Sequence, residues 1–201
     1  MKILNLYAGL GGNRKDWGNE HEVTAIELEP KIAEVYKANF PNDTVIVADA
    51  HEYLLEHADE FDFVWSSPPC QTHSRMMKAT RHKKKRFTDM SLYQEIIFLQ
   101  HFYKGKFVVE NVKPFYEPLI QPTAKLGRHY FWANFEIDEN FEMPNFKNFI
   151  TAGTTEETEK LKEWLGIKYD GNIYYKNNHC PGQVLRNCVH PLMGKHVLNC
   201  A

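Results

Sequence analysis

The first half of the chain alternates between two hydrophobic periods. Lys2–Tyr7 (KILNLY), Val23–Glu27 (VTAIE), Thr44–Val47 (TVIV), Phe61–Ser66 (FDFVWS) and Lys106–Glu110 (KFVVE) are short apolar runs with the length and β-branched content of buried strands. Between the second and third runs, Ile32, Val35, Tyr36 and Phe40 recur at helical spacing behind Pro30, a residue suited to a helix first turn. Leu92, Ile96, Leu99 and Phe102 mark a long helix before the fifth run. Strands alternating with helices predict an α/β fold, a mostly parallel central sheet with helices on both faces.

The second half is less regular. His129–Ile137 (HYFWANFEI) reads as one or two strands, and 138–153 as loop. Thr155–Leu165 reads as a helix capped by Thr154 or Thr155, 169–182 is polar and irregular, and Pro191–Leu198 reads as a closing helix. The expected division is a catalytic domain over 1–137, an insert over 138–182, and a C-terminal segment over 183–201 that returns to the first domain.

Composition narrows the class without naming a chemistry. At 201 residues, 43% hydrophobic and 25% charged, the chain can bury a real core and is not a disordered tail. No apolar run is long enough to span a bilayer, and the start, MKILNLYAGLGG, lacks the form of a signal peptide. A soluble, intracellular protein, cytoplasmic or nucleoid-associated, is expected. Cys70, Cys180, Cys188 and Cys200 form no CxxC pair, so no zinc site is expected and each thiol is judged by its surroundings. The net charge of −2 announces no nucleic-acid binder, although the run Arg81-His82-Lys83-Lys84-Lys85-Arg86 is locally basic.

The residues that carry chemistry fall at the carboxyl ends of the expected strands, where open α/β sheets bind ligands. Gly9-Leu10-Gly11-Gly12 follows the first strand and lets backbone approach a ligand closely, though it is not the six-residue dinucleotide pattern. Glu27 lies roughly 15–20 residues beyond the glycines, placed to accept hydrogen bonds from a ribose diol. Asp49 ends the third strand, where it can receive an adenine amine. Together they describe a pocket for an adenosine-type cofactor. Cys70, directly after Pro68-Pro69, is a thiol on a stiff backbone, and Glu110 ends the next strand. A thiol nucleophile beside a carboxyl proton source suits an electron-poor ring such as a pyrimidine.

These residues, in this order, resemble the DNA cytosine-5 methyltransferases. Tyr7-Ala8-Gly9-Leu10-Gly11-Gly12 resembles the family's FAGxGG turn, and Glu27-Leu28-Glu29 its ExD element, followed by the similar VYKANFP at 35–41. Asp49-Ala50 matches the third motif, Pro68-Pro69-Cys70-Gln71 with Ser74 the catalytic PPCQxxS, and Glu110-Asn111-Val112 the ENV motif. The resemblance implies a Rossmann-like fold dependent on S-adenosylmethionine. Cys70 would add to carbon 6 of a flipped cytosine in DNA while Glu110 stabilises or protonates N3. Carbon 5 would then take the methyl group, and loss of its proton with expulsion of the thiol would end the cycle. It also implies that Tyr7, Ala8, Gly9, Gly11, Gly12, Glu27, Leu28, Asp49, Ala50, Pro69, Leu92, Asn187 and Val189 hold the cofactor. Gln71, Ser74, Arg75, Lys83, Lys84, Lys85 and Arg86 would meet the nucleic acid on a loop that also carries Lys78 and Arg81.

Three departures matter. Where the family keeps an arginine pair, KLGRHYFWANF at 125–135 leaves only Arg128, assigned here to catalysis, and another register puts His129 in that place. In the last motif, usually GNxV, Arg186 replaces the glycine while Asn187 and Val189 stay. The segment 138–182 is short for a target-recognition domain, so short or degenerate recognition, down to a dinucleotide, is expected. Two alternatives stand beside the DNA enzyme: an RNA (tRNA) cytosine-5 methyltransferase, and a silent DNA-binding accessory module. An amino-methyltransferase fits poorly, because a thiol, not an aromatic residue, follows the prolines.

Overall fold

A computed structural model describes residues 1–75, 77, 87–146, 154–174 and 180–201. Seven strands form one sheet: β1 (Lys2–Leu6), β2 (Glu22–Ile26), β3 (Thr44–Ile46), β4 (Phe63–Ser66), β5 (Lys106–Val112), β6 (Ala124–Leu126) and β7 (His129–Ala133). Six α-helices are described: α1 (Pro30–Asn39), α2 (Ala50–His57), α3 (Ser91–His101), α4 (Thr155–Leu165), α5 (Gln183–Arg186) and α6 (Pro191–Asn199). The strand order is β3-β2-β1-β4-β5-β7-β6. The first five strands run parallel, and β7 is antiparallel to both β5 and β6. This is a Rossmann-like α/β fold. The chain winds outward from β1 to β3, then returns to continue through β4 and β5. A crevice therefore opens past the carboxyl ends of β1 and β4.

Strand alternation decides which helices cover which face. Leu4, Leu6, Ile26, Val64 and Val109 pack against Leu54 of α2 and Leu92, Ile96 and Leu99 of α3. On the opposite face, Ile3, Val23, Phe63, Trp65, Val108 and Phe131 meet Met193, Val197 and Leu198 of α6. Ala25, on that same face, joins Ile32 and Tyr36 of α1 and Leu161 and Leu165 of α4. Each of the large side chains buried here contributes about 1.5–3 kcal/mol by leaving water. Between the glycine turn and the end of α1, buried Arg14 holds Asp43 through two bonds of 2.9 Å, and the Tyr36 hydroxyl donates to the same carboxylate at 2.9 Å.

All five expected parallel strands and both first-half helices are present, with shifted ends. β1 stops at Leu6 because Tyr7 takes a φ of 53°, in the left-handed region, and turns the chain. β4 begins at Phe63, directly after Asp62, whose carboxylate accepts the Lys2 amide at 2.7 Å. Sequence periodicity did not reveal α2: it is eight residues long and starts on Asp49, whose side chain caps it. Thr154 caps α4 in a capping box with Glu157, as its position suggested. Within 138–146 no helix or strand forms.

Candidate active site

At the glycine-turn end of the crevice, the backbone is shaped first. Gly9 and Gly11 adopt φ of 55° and 80°, which side chains disfavour. A Cβ on Gly12 would lie 2.4 Å from the Val189 carbonyl oxygen and 2.7 Å from Cys188 Cβ, so the turn and the C-terminal segment touch backbone to backbone. Glu27 fixes this turn. Its Oε2 accepts the Gly9 amide and its Oε1 the Glu29 amide, each at 2.9 Å. Asp49 behaves alike: Oδ1 accepts the His51 and Glu52 amides at 2.9 and 3.0 Å. The turn is also pinned from below. Tyr7 donates its hydroxyl to the fully buried Glu95 of α3, which also accepts from Ser66 Oγ at 2.6 Å and pairs with His51 Nδ1 at 3.3 Å. Burial first, then the Glu95 charge, pushes the Tyr7 hydroxyl's pKa far up, so it stays a donor.

The reacting end starts where β4 stops. The Pro68 carbonyl accepts from Asn111 Nδ2 at 2.9 Å, tying the proline pair to β5. The Cys70 carbonyl accepts the His73 and Ser74 amides at 3.0 and 2.9 Å, closing a turn under the thiol. His73, itself buried, meets the Tyr116 hydroxyl at 2.6 Å and anchors that turn to the segment after β5. Burial pushes the half-buried Cys70 thiol up to about 11. The negative charge of Glu110 adds to the rise, and the Arg128 guanidinium opposes it. Burial lowers the pKa of Arg128, while Glu110 and Cys70 favour its charge.

Glu110 lies on the same face of the sheet as His129, one diagonal step across the β5–β7 pairing, where Val112 is opposite His129 and Glu110 opposite Phe131. Its Oε1 is 2.6 Å from His129 Nδ1, with both side chains buried. Arg128 Nε donates to His129 Nε2 at 3.2 Å, and its Nη2 donates to the Arg186 carbonyl at 3.2 Å.

Both ends open into one cleft of about 970 Å³. Its wall includes Cys70, Glu110 and Arg128, with Tyr7, Ala8, Gly9, Gly12, Glu27 and Leu28. Asp49, Ala50, Pro69, Gln71, Asn187 and Val189 line it as well. Gly11 lies off the wall, close under the rings of Phe40 and Tyr36. Leu92 is buried in the core between α3 and the sheet, and Ser74 and Arg75 also stand away from the wall. The expected phosphate contacts Lys83, Lys84, Lys85 and Arg86, with Lys78 and Arg81, lie outside the described residues. Sequence reasoning passed over His51, and named Asn111 and the cleft-lining Arg186 within motifs without giving either a role. It held His129 only as another register, and nothing local in the sequence marks the cross-strand contact that this residue makes.

Residues 1–123 match the family model of the C-5 cytosine-specific DNA methylases. The chain is 30% identical over 159 residues to the type II methyltransferase M1.HphI of Haemophilus parahaemolyticus, covering 73% of this chain and 39% of that protein. It is 29% identical over 141 residues to the human tRNA (cytosine(38)-C(5))-methyltransferase, covering 65% of this chain and 36% of the relative. Among solved structures, a DNMT2 mutant of Spodoptera frugiperda is similar, with 23% identity and a TM-score of 0.44 over 73% of this chain and 52% of that one. The chain thus spans well under half the length of these curated relatives. With the matched region covering β1 to β5 and every motif residue from Tyr7 to Val112, the chain belongs to the C-5 cytosine-specific DNA methylase family.

Proposed function

We propose that this chain methylates carbon 5 of cytosine in DNA with S-adenosylmethionine as donor. The observation that carries the reading is the single cleft lined by both Cys70 and Glu110 and, at its other end, by Gly9, Glu27 and Asp49. A nucleoside cofactor fits that second end. Bare glycine backbone permits close approach, two carboxylates are acceptors of the kind a diol and an amine need, and the volume lies in the range of ligand pockets. Glu27 and Asp49 would hold the ribose and the adenine, with Asn187 and Val189 closing over them. When bound, S-adenosylmethionine supplies an electrophilic methyl group on a sulfonium.

This chain's residues prepare the base to receive that group. Cys70 attacks carbon 6 while Glu110 holds a proton at N3, so the ring's electrons collect at carbon 5. The ligand-free thiol is protonated at neutral pH, and Arg128 is the neighbour that favours its thiolate. A base inside a duplex cannot reach Cys70, so the nucleotide is flipped, at about a few kcal/mol. Recognition is short or degenerate on this reading. The segment 138–182 is short for a target-recognition region, and Leu161, Leu165, Ile167 and Ile173 within it are buried against α1 and α5.

A second reading, RNA cytosine methylation, is favoured by the similarity to tRNA-modifying relatives. Labelled S-adenosylmethionine incubated in parallel with random-sequence duplex DNA and with bulk tRNA separates the two. The proposal expects label at cytosine in DNA; label confined to tRNA overturns the DNA assignment, and label in neither overturns both.

A further inference from the structure

We infer that His129 is a positioning residue that fixes Glu110 in one hydrogen-bonding state and assigns the two carboxyl oxygens different tasks. The inference rests on the cytosine reading above for its consequence and on local geometry for its content. A neutral imidazole has one donor nitrogen and one acceptor nitrogen. Arg128 has only donors, and its Nε points at His129 Nε2 at 3.2 Å, so Nε2 is the acceptor. Nδ1 therefore carries the hydrogen and donates it to Glu110 Oε1 at 2.6 Å. Arg128 is held in turn by the Arg186 carbonyl at 3.2 Å. The chain runs in one direction: Arg128 donates to His129, and His129 donates to Glu110.

Two consequences follow. On this inference Oε1 is committed as an acceptor and Oε2 carries the proton of Glu110, a residue that lines the cleft. The carboxyl group then presents one atom to N3 of the base, and it cannot turn over without breaking a buried bond. His129 also cannot accept a proton at Nε2 without setting an N–H against the Arg128 N–H. It is thus a fixed donor and not a carrier of protons during turnover. In this family member, an imidazole and one guanidinium in series orient the catalytic carboxyl.

The test uses the full chain and two readouts. Nitrogen-15 NMR of histidine-labelled protein reads the tautomer directly, with the His129 signal assigned by its loss in His129→Ala. The expected form is neutral with hydrogen on Nδ1; an Nε2–H tautomer or an imidazolium at neutral pH overturns the inference. Kinetics separates positioning from packing. General acid catalysis contributes about 10²–10⁴-fold, and loss of orientation forfeits part of that, so His129→Ala should lower kcat about 10- to 100-fold with little change in the KM for S-adenosylmethionine. His129→Asn puts an amide nitrogen near the Nδ1 position and should restore most of kcat, whereas His129→Gln, which reaches the Nε2 position, should not. Equal loss in all three variants, with weakened cofactor binding, would mean a purely structural residue. Unchanged kcat in His129→Ala would also overturn the inference while leaving the cytosine reading intact. A wild-type chain inactive on both DNA and tRNA removes the reading itself.

Discussion

At the glycine turn, the groups that face the cleft are backbone amides and two carboxylates already bonded to backbone: Glu27 to Gly9 and Glu29, Asp49 to His51 and Glu52. At the Cys70 end, the reacting side chains are held by other side chains from β5 and β7, through Asn111 and through the Arg128–His129–Glu110 chain. One end is shaped chiefly by bonds from backbone amides, with Glu95 and Val189 bracing it from afar, the other by the pairing of distant strands. The cofactor end can therefore tolerate changes at the reacting end, and the converse holds more weakly, because Arg128 also grips the Arg186 carbonyl beside Asn187. Separate construction predicts that binding and chemistry can be lost one at a time.

Substitutions at the two ends can break that separation. The largest effect is expected from Cys70→Ser: turnover should fall about 10⁴-fold or more while calorimetric cofactor affinity stays near wild type. A matching loss of affinity would mean that the two ends are not independent. Glu110→Gln should lower kcat about 10²–10⁴-fold, again with cofactor binding retained. At the other end, Glu27→Ala removes a charged acceptor from two amides, worth about 1.5–3 kcal/mol, and should weaken cofactor binding about 10- to 100-fold. Gly12→Ala forces a methyl group against the Val189 carbonyl and Cys188. It should cost about 1–3 kcal/mol of stability in denaturant titrations and loosen the cofactor end.

The last effect is a pH signature that needs no loss of function, at the reacting end. With the thiol held up to about 11, alkylation of Cys70 should accelerate about tenfold per pH unit between pH 7 and 9.5. Glu110 raises this pKa and Arg128 lowers it, so Glu110→Gln should speed alkylation at a fixed pH and Arg128→Ala should slow it. A flat profile, or the opposite order of the two variants, would contradict the electrostatics described here.

The same contrast explains what the sequence made legible. The parallel strands, α1, α3 and the two carboxylates beside the glycine turn announce themselves through local rules: β-branched runs, helical spacing, glycines that permit a turn and acids that end strands. Asp49 was visible as a strand-end acid, but its capping of α2 was not, because Ala50–His57 is short. The three residues of β6 and the four of α5 are too few to show a period. His129 was hidden for a different reason. Its bond to Glu110 depends on the β5–β7 register, and a shift of one residue would carry its side chain to the other face. The pairing of Cys70 with Glu110 was readable from their order on successive strands, whereas the support for that pair came only with the sheet.

The most direct test is covalent trapping. Duplex DNA carrying 5-fluorocytosine, incubated with the protein and S-adenosylmethionine, should yield a complex that survives denaturing electrophoresis, with the base joined to the peptide containing Cys70. No such complex should form with Cys70→Ser. A stable complex that persists in that variant, or methylation of ordinary cytosine with no covalent intermediate, would contradict the account.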